Sequence, residues 1–282
     1  MQSFELAVQS ADGHQAALIA RIPEAPCASL LWLPALGIAA RHYIPLAEAL
    51  AANGIAVYLH EWRGNGSSSL RAGGGSDWGY RELLEDIDAS AAISAIHADG
   101  LPRLAGGHSL GGQLACMHAA LSPDHIQGVW LVASGAPYWR AFSRPMRWVL
   151  PPAARFLQWL AQRRGFLPGR RIGFGGNEAA GVMNDWARTA LSGRYAGVGI
   201  DVDIEQALSA FSGEVRALTL AKDWMAPPGS LHFLLSKLAN ARIAEAHLTD
   251  AQVGAPADHF KWMKHPDAVA AWLTGSTETK PV

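Results

Sequence analysis

Cysteine is nearly absent: among 282 residues only Cys27 and Cys116 occur, too few for a disulfide framework and without the paired spacing of a thiolate metal site. Charge is thin as well. Only 17% of the residues are Asp, Glu, Lys or Arg, and 23 basic against 24 acidic side chains leave a formal net charge of -1, so no global field draws the chain to nucleic acid. Nowhere do about 18 apolar residues follow one another, the length that a membrane-spanning helix needs. The opening "MQSFELAVQSADGHQAALIA" lacks the basic start and greasy stretch of a secretion signal and carries Glu5 and Asp12 instead. These absences lead to the expectation of a reducing, cytoplasmic setting with no metal and no cofactor. What the chain does have is apolar material: half its residues are hydrophobic, enough for an extended core in one large domain.

The apolar residues change rhythm along the chain. Phe4, Leu6 and Val8 alternate with polar neighbours before Asp12-Gly13, and Leu18 to Ile22 follow, which predicts a hairpin. Thereafter short, almost continuous apolar runs predict strands buried on both faces, at Ser29 to Leu36, Gly54 to His60, Pro102 to Gly106, Ile126 to Ala133, Val215 to Ala221 and Ala241 to His247. Segments of helical spacing lie between and after them, at Tyr43 to Asn53, Tyr80 to Ala98, Gly111 to Leu121, Leu231 to Ala239 and Pro266 to Leu273. Strands alternating with helices predict a mostly parallel α/β sheet. After Ser134 the alternation stops. Between Arg140 and Arg171 there are eight arginines and no acidic residue, with Trp139, Trp148 and Trp159 close by and Pro151-Pro152 in the middle. The expected organisation is therefore a core in two parts, 1–136 and 214–282, with 137–213 inserted, and the tail "GSTETKPV" has the composition of a frayed end.

One short stretch demands a chemical explanation. In "LAGGHSLGGQLA" four glycines surround Ser109 where a strand passes into a helix. A sharp bend at that junction holds the hydroxyl clear of the backbone. Gly107 and Gly111 spare the close neighbours a Cβ, and the Leu110 amide opens a helix whose N-terminal dipole favours developing negative charge. Gly-x-Ser-x-Gly by itself is a common chance match, and the strand-to-helix context gives it weight.

With these residues in place, the chain resembles α/β-hydrolase-fold proteins of the serine-nucleophile branch. The resemblance covers most of the chain outside the insertion. It rests on "GHSLGG", on "LPALG" (Leu33 to Gly37), on "WRGNG" (Trp62 to Gly66), on "PGRRIGFG" and on "DHFKWMKHPDAV", which together are similar to bacterial hydrolases of unassigned substrate. It implies an α/β-hydrolase fold: a mostly parallel central sheet with an N-terminal hairpin and an inserted helical cap. It also implies that "LPALG" supplies the second amide of an oxyanion hole, from Leu36 or from Ala35 before it. "WRGNG" corresponds to a structural turn, and it lacks the Gly-Lys-Ser/Thr ending of a phosphate loop.

A serine hydroxyl is a weak nucleophile until a base takes its proton and an acid orients that base. The resemblance implies the order Ser, acid, His. Asp223, in "KDWMAPP" after the strand Val215 to Ala221, matches the acid, with Asp250 and Asp258 as alternatives. His259, followed by Phe260, matches the base, while His265 stands directly before Pro266 as a helix-start residue. His108 is read as a packing residue and Cys116 as a small buried hydrophobe. The implied activity is hydrolysis of a small-molecule carboxylic ester or thioester through an acyl-enzyme on Ser109. Acyl transfer with the same three side chains, or a ligand-binding protein with little turnover, are the other readings. The uncompensated arginines suggest an anionic partner at the insertion, such as CoA, a carrier protein or a membrane surface.

Overall fold

Strand β3 (Ala28–Leu33) is buried along its whole length. Leu30 and Trp32 enter one apolar core and Leu31 and Leu33 another, so the period-2 alternation of a strand feeds two layers at once. A computed structural model describes residues 1–276; most of the C-terminal tail expected to fray lies outside the described residues. β1 (Gln2–Gln9) and β2 (Gln15–Ile22) form the expected hairpin, β3 is followed by α1 (Ile44–Ala52), and β4 (Ile55–Leu59) leads to α2 (Tyr80–His97). Next come β5 (Arg103–His108), α3 (Leu110–Leu121) and β6 (Gly128–Val132). Between β6 and the next strand of the main sheet lie α4 (Met146–Arg164), β7 (Phe166–Pro168), α5 (Gly169–Ile172), β8 (Asn177–Ala179), α6 (Ala180–Ser192) and α7 (Ile204–Ala210). The chain closes with β9 (Glu214–Leu220), α8 (Pro228–Leu235), β10 (Arg242–Leu248), α9 (Asp250–Val253) and α10 (Asp267–Thr274).

The main sheet has eight strands in the order β1-β2-β4-β3-β5-β6-β9-β10. β1 pairs with β2 and β2 with β4 antiparallel, while every other neighbouring pair is parallel. This is the α/β-hydrolase fold that the sequence led us to expect. One layer of its core contains Leu83, Ile87, Leu114 and Met117 from α2 and α3, the other Leu46, Leu50, Val269 and Leu273 from α1 and α10. The segment between β6 and β9 has its own two-stranded sheet, β7 with β8.

One local departure from sequence expectation has a clear cause. β5 runs two residues beyond Gly106 because Gly107 and His108 continue the ladder opposite Leu131 and Val132, and Ser109 is thus the single residue between strand and helix. α4 continues through Pro151-Pro152. Proline's fixed φ is itself helical, and two adjacent prolines remove two amide hydrogens at one place rather than at two.

Candidate active site

Ser109 has φ 55° and ψ -120°, a region that L-residues avoid and that persists only where the surroundings impose it. Here they do. The Ser109 amide donates to Val132 O at 3.3 Å, and its carbonyl accepts from Ser134 Oγ at 2.7 Å. A Cβ at Gly107 would overlap the backbone of Gly111 and Gly112, and one at Gly111 would overlap the Leu33 and Pro34 carbonyls. Small residues therefore let β5, α3 and the end of β3 converge on the bend, leaving the Ser109 side chain at the wall of a cavity.

That cavity has a volume of about 280 Å³, and Leu36, Ser109, Leu110 and His259 are among the residues that line it. Apolar side chains from α4, among them Met146, Leu150 and Leu157, form much of the remainder. Asp223 lies behind His259: its Oδ2 accepts from His259 Nδ1 at 2.8 Å, and its Oδ1 accepts from the Met225 and Ala226 amides at 2.9 and 3.0 Å. Both side chains are buried, which protects their hydrogen bond from competition by water. The two loops that carry them are stitched together by the Lys222 amide on Ala257 O at 2.8 Å. Trp262 Nε1 holds the His259 carbonyl at 3.0 Å.

The other two carboxylates are engaged elsewhere. Asp250 pairs with Lys222 and accepts from the Ala257 amide, and Asp258 caps Phe260 and Lys261. His265 is exposed and precedes α10. Of the sequence candidates, then, Ser109, His259, Leu36, Ala35 and Leu110 line one cavity, with Asp223 against His259.

Sequence reasoning placed Tyr43 at the start of a helix and gave it no part in the site. This fully buried residue accepts the Ala35 amide on its hydroxyl at 2.9 Å and is 2.8 Å from His108 Nδ1. His108 is also fully buried, with its ring 4.6 Å from that of His259. Burial above all, and then the neighbouring His259, push the His108 imidazole well below its usual range; it stays neutral and fills space. Gln113, one turn into α3, also lines the cavity and accepts from the Tyr195 hydroxyl at 3.2 Å.

A second Ser-His-Asp line exists and is architecture. His14 bonds Ser68 Oγ at 3.0 Å and Asp86 Oδ1 at 3.2 Å, but all three residues are buried and Asp86 is clamped by Arg63 at 2.6 and 2.9 Å. Together with Trp62, whose indole N–H donates to Pro34 O at 2.9 Å, these bonds fix the Trp62 to Gly66 turn beneath the Leu36 loop. No group of three or more His, Cys, Asp or Glu among the described residues could hold a metal ion.

The segment between β6 and β9 reaches the same loop. A Cβ at Gly37, where φ is +76°, would overlap the Gly176 backbone, and the Gly176 amide donates to Glu178 Oε1 at 2.6 Å. Burial pushes the Glu178 carboxyl up to about 7, against the opposing effects of that amide and of Arg170. Because the folded-state value exceeds the usual 4.5, the folded chain keeps a proton that the unfolded chain has lost between those two values. Stability therefore falls as pH rises through that window. Glu178→Gln keeps the acceptor and cannot ionise. Denaturant unfolding at pH 5 and pH 8 is expected to show the wild type losing about 3 kcal/mol more than the variant across that interval; equal losses would mean that Glu178 ionises freely.

Residues 24–186 match the family model described as "Serine aminopeptidase, S33". Comparison with curated proteins gives no match. Solved structures with the same fold include the esterase domain of a Rhodothermus marinus protein, 16% identical, covering 98% of each chain with a TM-score of 0.62. Est1E from Butyrivibrio proteoclasticus, solved with ferulic acid bound, is 14% identical over 98% of this chain and 100% of its own, with a TM-score of 0.65. The thioesterase domain from the curacin biosynthetic pathway is 17% identical over 97% and 99%, with a TM-score of 0.59. At such identities the likeness is one of fold.

Proposed function

Since the chain belongs to the serine aminopeptidase S33 family of α/β hydrolases, we propose that it is a serine hydrolase of carboxylic esters or thioesters that works through an acyl-enzyme on Ser109. The observation that carries this reading is the strained Ser109 on the wall of an apolar cavity shared with His259, whose Nδ1 is bonded to Asp223. With Nδ1 so engaged, His259 Nε2 is the ring nitrogen left to accept the hydroxyl proton. Ser109 Oγ attacks the acyl carbon, the proton passes to Nε2, and Asp223 stabilises the resulting imidazolium. The tetrahedral oxyanion is held by the amides of Leu110 and Leu36. Ala35 is the weaker candidate because its amide already donates to Tyr43. Collapse breaks the bond to the alcohol or thiol, which leaves with the proton from His259; water, deprotonated by the same nitrogen, then releases the acid.

The name of the family raises peptide hydrolysis as the rival. An aminopeptidase must grip a free α-ammonium group, which calls for an acceptor of negative charge, and among the described residues the cavity wall carries no Asp or Glu. Its apolar lining suits an acyl chain, and in this reading residues 137–213 act as a cap that supplies much of that lining to a core formed by 1–136 and 214–282. The esterase and thioesterase among the fold relatives are in keeping with it. Labelling with a fluorophosphonate, peptide mapping of the adduct, and a rate comparison across acyl esters, acyl thioesters and aminoacyl anilides test the proposal. The adduct is expected on Ser109, with esters or thioesters turned over faster than anilides; an adduct elsewhere, or anilides as the best substrates, overturns it.

A further inference from the structure

α4 carries large apolar side chains on both of its faces. Leu150 and Leu157 turn inward to line the cavity, and Ala154 and Ala161 are buried. On the outward face Trp148, Pro152, Arg155, Trp159 and Arg163 succeed one another at steps of four, three, four and four residues, so they share one stripe. Trp148, Phe156 and Trp159 are 58%, 54% and 56% exposed. Three large aromatic side chains more than half in water on a single helix form a patch of the kind that marks an interaction site.

The charge along this stretch of the chain is of one sign. Among the described residues none of the eight arginines from Arg140 to Arg171 takes part in an ion pair, although the chain has slightly more acidic than basic residues overall. Two of them lie over indoles instead: the Arg140 guanidinium is 4.9 Å from the Trp139 ring centre, and that of Arg147 is 5.6 Å from Trp139 and 5.9 Å from Trp148. The patch is also continuous with the cavity, because Val149 on α4 is exposed and lines it, as Trp224 and Phe260 do from the core.

We infer that the outward face of α4 is a docking surface for an anionic phospholipid bilayer, seated so that the cavity mouth beside Val149 opens toward the lipid. Indole rings favour the boundary between headgroups and acyl chains, and arginine places its alkyl stem in the apolar zone while its guanidinium meets phosphate. A nucleotide such as CoA would need a concave, donor-lined recess for its phosphates, whereas these side chains stand out from an exposed helix. No helix of the described residues is long and apolar enough to cross a membrane, so this contact lies on the surface. Docking does not depend on the chemistry at Ser109, and the two readings stand or fall separately.

Flotation of the full chain with vesicles tests the inference. Binding to an equal mixture of phosphatidylcholine and phosphatidylglycerol is expected to exceed binding to phosphatidylcholine alone by about 100-fold at low salt, and to weaken as salt rises. Tryptophan emission should be quenched by bromine-labelled acyl chains. Two doubly substituted variants, Arg155→Glu with Arg163→Glu and Trp148→Ser with Trp159→Ser, alter exposed side chains that do not line the cavity. Each is expected to lose at least tenfold in vesicle affinity while keeping its circular dichroism and its rate on a water-soluble short-chain ester. Equal binding to both vesicle types, variants that bind as well as wild type, or saturable binding of a CoA thioester or an acidic carrier protein in place of vesicles would each overturn the inference.

Discussion

Ser109→Ala is expected to lower ester turnover by at least 10⁴-fold, because removing the nucleophile from a unit of this kind abolishes covalent catalysis and leaves only what binding and oxyanion donors supply. The fold should survive. Every bond that fixes the bend at Ser109 runs through its backbone, the amide to Val132 and the carbonyl from Ser134, and alanine has the same Cβ, so the strain at φ 55° is neither relieved nor increased. The variant should therefore unfold within a few degrees of wild type and fail to react with a fluorophosphonate. Turnover within tenfold of wild type, measured on the same ester with a folded variant, would remove Ser109 from the mechanism and with it the function proposed here.

Much of this site is legible in the sequence because its geometry comes from local rules. Gly107 and Gly111 have to be small because β3, β5 and α3 meet there, and apolar runs separated by helical segments dictate a parallel sheet in which the serine bend follows a central strand. Asp223 and His259 are findable through chain order and their local motifs, and the carboxylates at 250 and 258 become distinguishable from 223 once their amide and lysine partners are known. What stayed hidden depends on loops folding onto one another without any periodic signature. Tyr43 belongs by spacing to the start of a helix, and nothing in its neighbourhood announces that its hydroxyl turns back to the Ala35 amide. The approach of Gly176 to Gly37 joins segments far apart in the chain, one of them in the insertion. The burial of Glu178 follows from that approach, and a lone glutamate beside glycines in the sequence reads as solvated.

Asp223→Asn should be nearly as damaging as loss of the serine, with an expected fall in kcat of about 10⁴-fold near neutral pH. The reason lies in which way the new amide must point. Asp223 Oδ1 accepts two backbone N–H groups, from Met225 and Ala226, and only an oxygen can take that place, since an NH₂ there would face two donors and leave them unsatisfied. The asparagine oxygen is therefore fixed toward the backbone, and its NH₂ is turned toward His259 Nδ1. A donor at that position selects the imidazole tautomer with a bare Nδ1 and the proton on Nε2, the nitrogen that has to accept the proton of Ser109. The base is blocked while its position is kept. Asp223→Ala removes this enforced tautomer and leaves a space that water can enter, so it is expected to retain more activity than Asp223→Asn. Imidazole proton shifts by NMR give an independent readout, with the Nδ1 proton of His259 present in wild type and missing in Asp223→Asn. An Asp223→Asn enzyme within tenfold of wild type, or one whose His259 keeps its Nδ1 proton, would show that the carboxylate at 223 does not set the state of the base.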